Sequence, residues 1–482
     1  MPKIQAPKGT RDFYPDDLLK RRYLERLWRD TSIRHGFEEI DGPAFEHADL
    51  YKVKSGEGIL AEMFGVFSGK AAEDLDRVRQ TGEAPFALRP EFTPTLARMY
   101  AARAGALPKP TKWFWMQNCF RAERPQRGRL REFGQWNCDV MGGDGRLADK
   151  EALAVMRGIL DEAGLTAHDL SININSRQVT QALMREAGVP DASHAAFLGF
   201  LDGSAKRSPA DNERRLHEIG VAVQVASRFG SIVQEFASAH RSGNQEWETR
   251  LAGTDIERIH DVLRDQDLQQ GRPWIVLDPE IVRGLAYYTG MVFEVIAEGE
   301  RAVAGGGRYD NLIELFGGPP TPAVGFGMGD AVLSLLLEDK GLMPDATRAM
   351  ECLSRLPASY RPEGFVFAAG DEAQPRVRPL VAELRRGRAS EAWRNRSDRK
   401  PWDADRYAAC GVRPMHARHS YKATRNIGKL LQDAAAQRAR FAVILENEHE
   451  ATLKDLDTGS QDTTRTPIDR VPAELARRLT PA

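Results

Sequence analysis

Leu19, Tyr23, Leu24, Leu27 and Trp28 recur at helical spacing and predict an amphipathic helix over 16–35, with Asp16 as its cap just after Pro15. Short apolar runs at 37–40 and 86–88 predict strands, and 93–104 a helix ended by Gly105 and the Pro108/Pro110 pair. Two aromatic-rich runs, WFWMQNCFR (113–121) and FGQWNCDVM (133–141), predict antiparallel strands joined by an extended polar loop. From 150 to 270 helical periods dominate (151–163, 176–187, 209–227, 229–240, 254–266), with one strand at 170–174. Strand patterns return at 274–278, 289–296 and 301–304. GGGRYD (305–310) then reads as a glycine-rich turn, and FGMGDAVLSLLLE (326–338) as a buried helix. Beyond an aperiodic linker at 339–363, strands at 365–370 and 441–446 alternate with helices at 375–386 and 423–437, which predicts an α/β layer with parallel pairing.

Alternation sorts the chemistry on the paired strands. Phe133, Gln135, Asn137, Asp139 and Met141 share one face, and Trp136, Cys138 and Val140 the other. Trp115, Gln117 and Cys119 share a face of the first strand that ends in Arg121. Polar groups in that density are costly to bury unpaired, so they predict a wet cleft or a ligand site. The loop between the strands packs Arg121, Arg124, Arg127, Arg129 and Arg131 against only Glu123 and Glu132, which favours an anionic ligand. Residues 385–440 hold 12 Arg and 3 Lys against 1 Glu and 4 Asp, interleaved with Trp393, Trp402, Tyr407 and Tyr421. That composition suits a nucleic-acid surface, and a solvated basic face is the alternative.

Composition narrows the class. The chain has 482 residues, 41% hydrophobic and 28% charged, and its 68 Lys+Arg against 69 Asp+Glu leave a net charge of −1. This describes a soluble multidomain protein without a global field. Four scattered cysteines give neither a disulfide framework nor a CxxC metal site and point to a reducing compartment. The N-terminus lacks a signal pattern and no window is apolar enough to span a bilayer, so a cytoplasmic location with no membrane partner is expected. The sequence contains no P-loop or Rossmann glycine pattern.

PKGTRDFYP (7–15), ALRPEFTPTLARM (87–99), FRAERPQRGRLREFGQ (120–135), RGLAYYTG (283–290) and GGGRYDNLIELFGG (305–318) together resemble histidyl-tRNA synthetase, in order and approximate spacing. HSYKATRNIGKLL (419–431) and KDLDTG (454–459) resemble that family's anticodon-binding domain. The resemblance implies an α+β fold: a class II synthetase antiparallel-sheet catalytic core (1–170 and 272–340), a helical insertion (171–271), a linker (341–363) and a C-terminal α/β anticodon-binding-type domain (364–482). It implies a homodimer formed through GFEEIDGPAF (36–45), with Pro43 at its turn. The implied reaction joins histidine and ATP as histidyl-adenylate, then moves the histidyl group to the 3′ end of tRNA(His).

By the same resemblance Arg121 binds the α-phosphate and Arg283 is a second cation opposite it. Phe133 stacks on adenine and Glu123 accepts from its amine. Glu91, Thr93 and Gln135 resemble the α-amino contacts, Asp139 and Tyr288 the imidazole contacts, and Tyr309 closes the pocket. Arg124, Gln126 and Arg129 meet the tRNA acceptor end. Mg²⁺ is expected with the phosphates, its ligands unspecified by the sequence. Four positions depart from the family: Asp139 stands where Glu is common, Ala286 where Asp is common, Thr289 where Asn sometimes occurs, and Val332 near the place of an ATP-clamping Arg. The last departure keeps open a non-catalytic relative, the regulatory subunit of ATP phosphoribosyltransferase. A plain RNA-binding scaffold would not need Glu91, Gln135, Asp139 and Tyr288 in one pocket.

Overall fold

A computed structural model describes residues 4–479 except 56–61, 205–206, 243–245, 270–272, 283–286, 298–301, 354–358, 360, 401–402, 404–405, 408–410 and 423. Arg283 and Ala286 therefore lie outside the described residues.

Eight strands form the principal sheet, in the order Glu38–Glu39, Thr111–Phe120, Glu132–Met141, Ala323–Gly329, Ala304–Arg308, Met291–Ala297, Leu170–Ser176, Ile275–Leu277. Pairing is antiparallel through the interior and parallel only at the two edges. One face of Glu132–Met141 sends Trp136, Cys138 and Val140 into the core beneath the first helix. There Trp28 stacks on Trp136 with ring centroids 6.0 Å apart, and Trp136 Nε1 donates to Ser32 Oγ at 2.9 Å. The alternation read from the sequence thus holds on this strand.

Several boundaries differ from expectation. The first helix starts at Pro15, so Asp16 lies inside the opening turn, where its charge favours the helix end without capping it. Leu170–Ser176 hydrogen-bonds along Met291–Ala297, so the helical stretch opens at Arg177 and not at 171. Within it the break falls at Gly220, with φ 70°, giving helices Pro209–Glu218 and Val223–Ser242. GGGRYD is no turn: Ala304–Arg308 is an interior strand. FGMG belongs to the next strand, and the helix begins only at Asp330. The expected linker contains a helix, Ala346–Leu353, tied to the first helix by Arg26, which donates to the carbonyls of Cys352 and Leu353.

The C-terminal sheet runs Ala417–His419, Gly364–Ala368, Phe441–Leu445, Glu450–Asp455, Thr466–Pro467. Its first three strands pair parallel, as read from the sequence, and its last two antiparallel. Buried ion pairs dock this domain on the core. Glu151 Oε1 accepts from Lys112 Nζ at 2.7 Å and from Arg385 Nη1 at 2.9 Å, and Arg378 reaches Asp265 at 2.8 Å. Arg406 approaches Glu162 at 3.7 Å and lies over the rings of Trp393 and Tyr407. Part of the basic, aromatic C-terminal stretch is therefore spent inside the chain.

His35 and His419 face the same carboxylate, at 3.8 and 4.0 Å from Glu151. Burial, with Arg385 and Lys112 nearby, lowers His35 to about 3, and burial with the same two cations lowers His419 to about 4. Both rings are neutral when folded, so below pH 6.5 the unfolded chain binds protons that the folded chain refuses. Stability falls by about 1.4 kcal/mol per pH unit per ring as pH drops from 6.5 towards 4. Lys112, lowered by burial to about 7, changes stability only above that pH. Urea midpoints at pH 7 and pH 5 are expected to differ less in His419→Gln than in the unaltered chain; an equal difference would remove His419 from this account.

Candidate active site

A cavity of about 630 Å³ opens on the other face of the principal sheet. Phe133, Gln135, Asn137 and Asp139 line it from a single strand, as period two requires. The neighbouring strand makes room for them. A Cβ on Gly325 would run into the Asp139 carboxylate, and one on Gly327 into the Gln135 amide. Only glycine lets these backbones pass so close beneath polar side chains.

At one end of the cavity the groups are small and polar. Tyr309 Oη donates to Asp139 Oδ1 at 2.6 Å, and Gln135 Nε2 donates to Asn137 Oδ1 at 2.8 Å. Burial raises the Tyr309 hydroxyl well above the usual phenol range, and the Asp139 carboxylate adds to that, so it stays a neutral donor. Glu91, Thr93 and Tyr288 complete this end. Tyr287, whose partner Tyr288 was singled out in the sequence, also lines it and donates to Glu91 Oε2 at 3.3 Å. Two adjacent tyrosines gave no local reason to choose one; both face the cavity, with centroids 4.6 Å apart.

The other end is charged and aromatic. Arg121 lies over the Phe133 ring at 5.2 Å and donates from Nε to the Pro90 carbonyl at 3.1 Å. Glu123 is ion-paired with Arg129 and lies 3.9 Å from Arg121. Its Oε1 is buried with no hydrogen-bond donor among the described residues, an acceptor held ready. Arg129 thus sits on the cavity wall. Arg124 does not line the cavity, nor does Gln126, whose backbone exchanges hydrogen bonds with Arg129 across a turn closed by Gly128. Val332 lines the same end beside Gly329. Two residues earlier, Asp330 accepts from Arg11 Nη2 at 2.6 Å and from Gly134 N at 2.9 Å, anchoring the loop and the helix start together. Among the described residues the cations lining the cavity are Arg121 and Arg129.

An antiparallel sheet with a polar small-molecule pocket at one end and an arginine-bearing hairpin loop over the other defines the catalytic core of a class II aminoacyl-tRNA synthetase. The family model described as histidyl-tRNA synthetase matches residues 9–330. The chain belongs to that family. A histidine–tRNA ligase of Haloarcula marismortui is 33% identical over 98% of this chain and 97% of its own length. One of Opitutus terrae is 37% identical over 73% of this chain and 78% of its own. A solved histidyl-tRNA synthetase of Nostoc sp. PCC 7120 shares the fold, with TM-score 0.55 and 22% identity, over 99% of this chain and all of the other. So does a Bacillus halodurans protein titled ATP phosphoribosyltransferase regulatory subunit/histidyl-tRNA synthetase, with TM-score 0.55 and 18% identity, over 93% of this chain and all of the other.

Proposed function

We propose that the chain is a histidine–tRNA ligase, using ATP to form histidyl-adenylate and passing the histidyl group to tRNA(His). The observation that carries this reading is one cavity with two ends, Glu91, Thr93, Gln135, Asp139, Tyr288 and Tyr309 at one and Arg121, Glu123 and Phe133 at the other. Glu91 and Gln135 offer oxygens to an ammonium, while Asp139 and the tyrosines offer an acceptor and donors to an imidazole.

The histidine carboxylate then attacks the α-phosphorus. A carboxylate O–P bond forms as the bond to pyrophosphate breaks, and charge gathers on the non-bridging oxygens beside Arg121. Positioning and charge neutralisation supply the catalysis, with no covalent enzyme intermediate. Arg283 is proposed as the second cation, with Arg124, Gln126 and Arg129 kept for the tRNA acceptor end. In the second step a terminal ribose hydroxyl attacks the carbonyl carbon and AMP leaves. Mg²⁺ is proposed as a companion of the ATP phosphates, its protein ligands unassigned.

Residues through Ser176 and from Ile275 to Asp339 form the proposed catalytic domain, the helices between them an insertion, and 364–479 the anticodon-binding domain. A homodimer through 36–45 is supported by the edge strand Glu38–Glu39 and by Phe45, which is 50% exposed. A cytoplasmic setting is supported by Cys119 and Cys138, both buried thiols outside any disulfide. No described helix is long and apolar enough to cross a membrane.

Val332 favours the regulatory subunit as the second reading. Histidine-dependent ATP–pyrophosphate exchange separates the two. Exchange with histidine and with no other standard amino acid is expected; histidine binding without exchange would favour the regulatory relative.

A further inference from the structure

The strand that delivers Tyr309 ends in Arg308, a residue 3% exposed that the mechanism above does not use. Its guanidinium donates to Asp149 Oδ1 from Nε at 3.0 Å and from Nη2 at 2.5 Å, to Asp310 at 2.9 Å and to the Gly145 carbonyl at 2.7 Å. Its own carbonyl accepts from Thr289 N at 2.7 Å, and Thr289 Oγ1 accepts from Asp310 N at 3.1 Å. The guanidinium thus braces the strand end beside Tyr309, and the backbone of Arg308 and Asp310 ties the segment carrying Tyr288 to that same strand end.

The hold on Arg308 depends in turn on a residue of the helical insertion. Asp149 is fully buried, and its second oxygen, Oδ2, faces Arg258 Nη1 at 3.3 Å. Arg258 stands on the helix Ile256–Leu263, next to Asp255 at 3.9 Å; Asp255 Oδ2 accepts from Ser176 Oγ at 2.9 Å. Gly290 passes between these groups, so close that a Cβ there would meet Asp255 Oδ2 at 2.9 Å and Arg308 Cδ at 3.2 Å. Among the described residues the ATP end is held differently, by Asp330 and the Glu123–Arg129 pair, from the hairpin loop and the N-terminal segment.

We infer that Arg258 is a positioning residue for the histidine subsite, acting through Asp149 and Arg308 on Tyr288 and Tyr309, and that the helical insertion is thereby coupled to amino-acid binding and not to ATP binding. This rests on the histidine-binding reading given above. Burial already raises Asp149 to about 6 against the opposing pull of Arg308 and Arg258, with Asp255 adding to the rise. Removing Arg258 takes away one of the two guanidiniums that face this buried carboxylate and leaves Arg308 alone to balance it, which favours the protonated acid and loosens its grip on Arg308.

Arg258 is 24% exposed at its side chain, so Arg258→Ala is expected to fold. Calorimetric titration of the full-length protein with histidine alone should show affinity reduced five- to twenty-fold. In pyrophosphate exchange the KM for histidine should rise by the same factor, with the KM for ATP within twofold of the unaltered enzyme. Arg258→Lys, which keeps the charge, should recover most of the loss. Unchanged histidine affinity in Arg258→Ala, or equal rises in both KM values, would overturn the coupling while leaving the ligase reading intact. Failure of the unaltered protein to bind histidine would overturn both.

Discussion

Arg121→Ala lowers the rate of histidine-dependent pyrophosphate exchange by about 10²–10³-fold, the range seen when one charge-stabilising donor is removed from a transition state. Histidine affinity, measured without ATP, stays within a few fold. Arg121 earns this place by geometry: the Pro90 carbonyl and the Phe133 face hold its guanidinium at the end of the cavity away from Tyr309 and Asp139. Of the described cations on the cavity wall, Arg129 is ion-paired with Glu123 and less available to take over. A rise confined to the KM for histidine, with kcat unchanged, would place Arg121 in the amino-acid subsite and sink the phosphate role.

Asp139→Ala raises the KM for histidine by about 10²-fold or more, because a site built to hydrogen-bond its ligand loses most when a buried partner is stranded. The substitution strands Tyr309, fully buried with its hydroxyl on Asp139, as well as removing the acceptor proposed for the imidazole. Asp139→Asn keeps an acceptor without the charge and should fall between the two. Equal histidine KM values for Asp139→Ala and the unaltered enzyme would remove Asp139 from the pocket. Circular dichroism of each variant checks that the sheet survives.

The face of Glu132–Met141 that forms the cavity was legible because alternation is a property of the backbone, independent of what lies across it. Its partner Thr111–Phe120 was legible too, but the strands on the other side, Ala323–Gly329 and Ala304–Arg308, were not. Local rules count Gly305, Gly306 and Gly307 as turn formers, yet a Cβ at Gly306 would collide with the Gly325 carbonyl and the Phe326 side chain. Crowding between neighbouring strands demanded glycine there, and crowding is invisible until the neighbour is known. Charge misled in the same way. Arg385 read as part of a basic surface, but its partner Glu151 lies 234 residues earlier and the pair is buried. Pairings across such separations leave no local pattern.

That separation also has a consequence in time. Tyr309 and Asp139, which meet at the small, polar end of the cavity, are 170 residues apart, and a run of helices lies between them. At about 5–20 residues per second, a ribosome takes roughly ten to thirty seconds to make the intervening chain. For that interval the strand bearing Gln135 and Asp139 waits without the neighbour Ala323–Gly329 that pairs along it. The pocket that defines the protein's chemistry is among the last parts of the core to be enclosed.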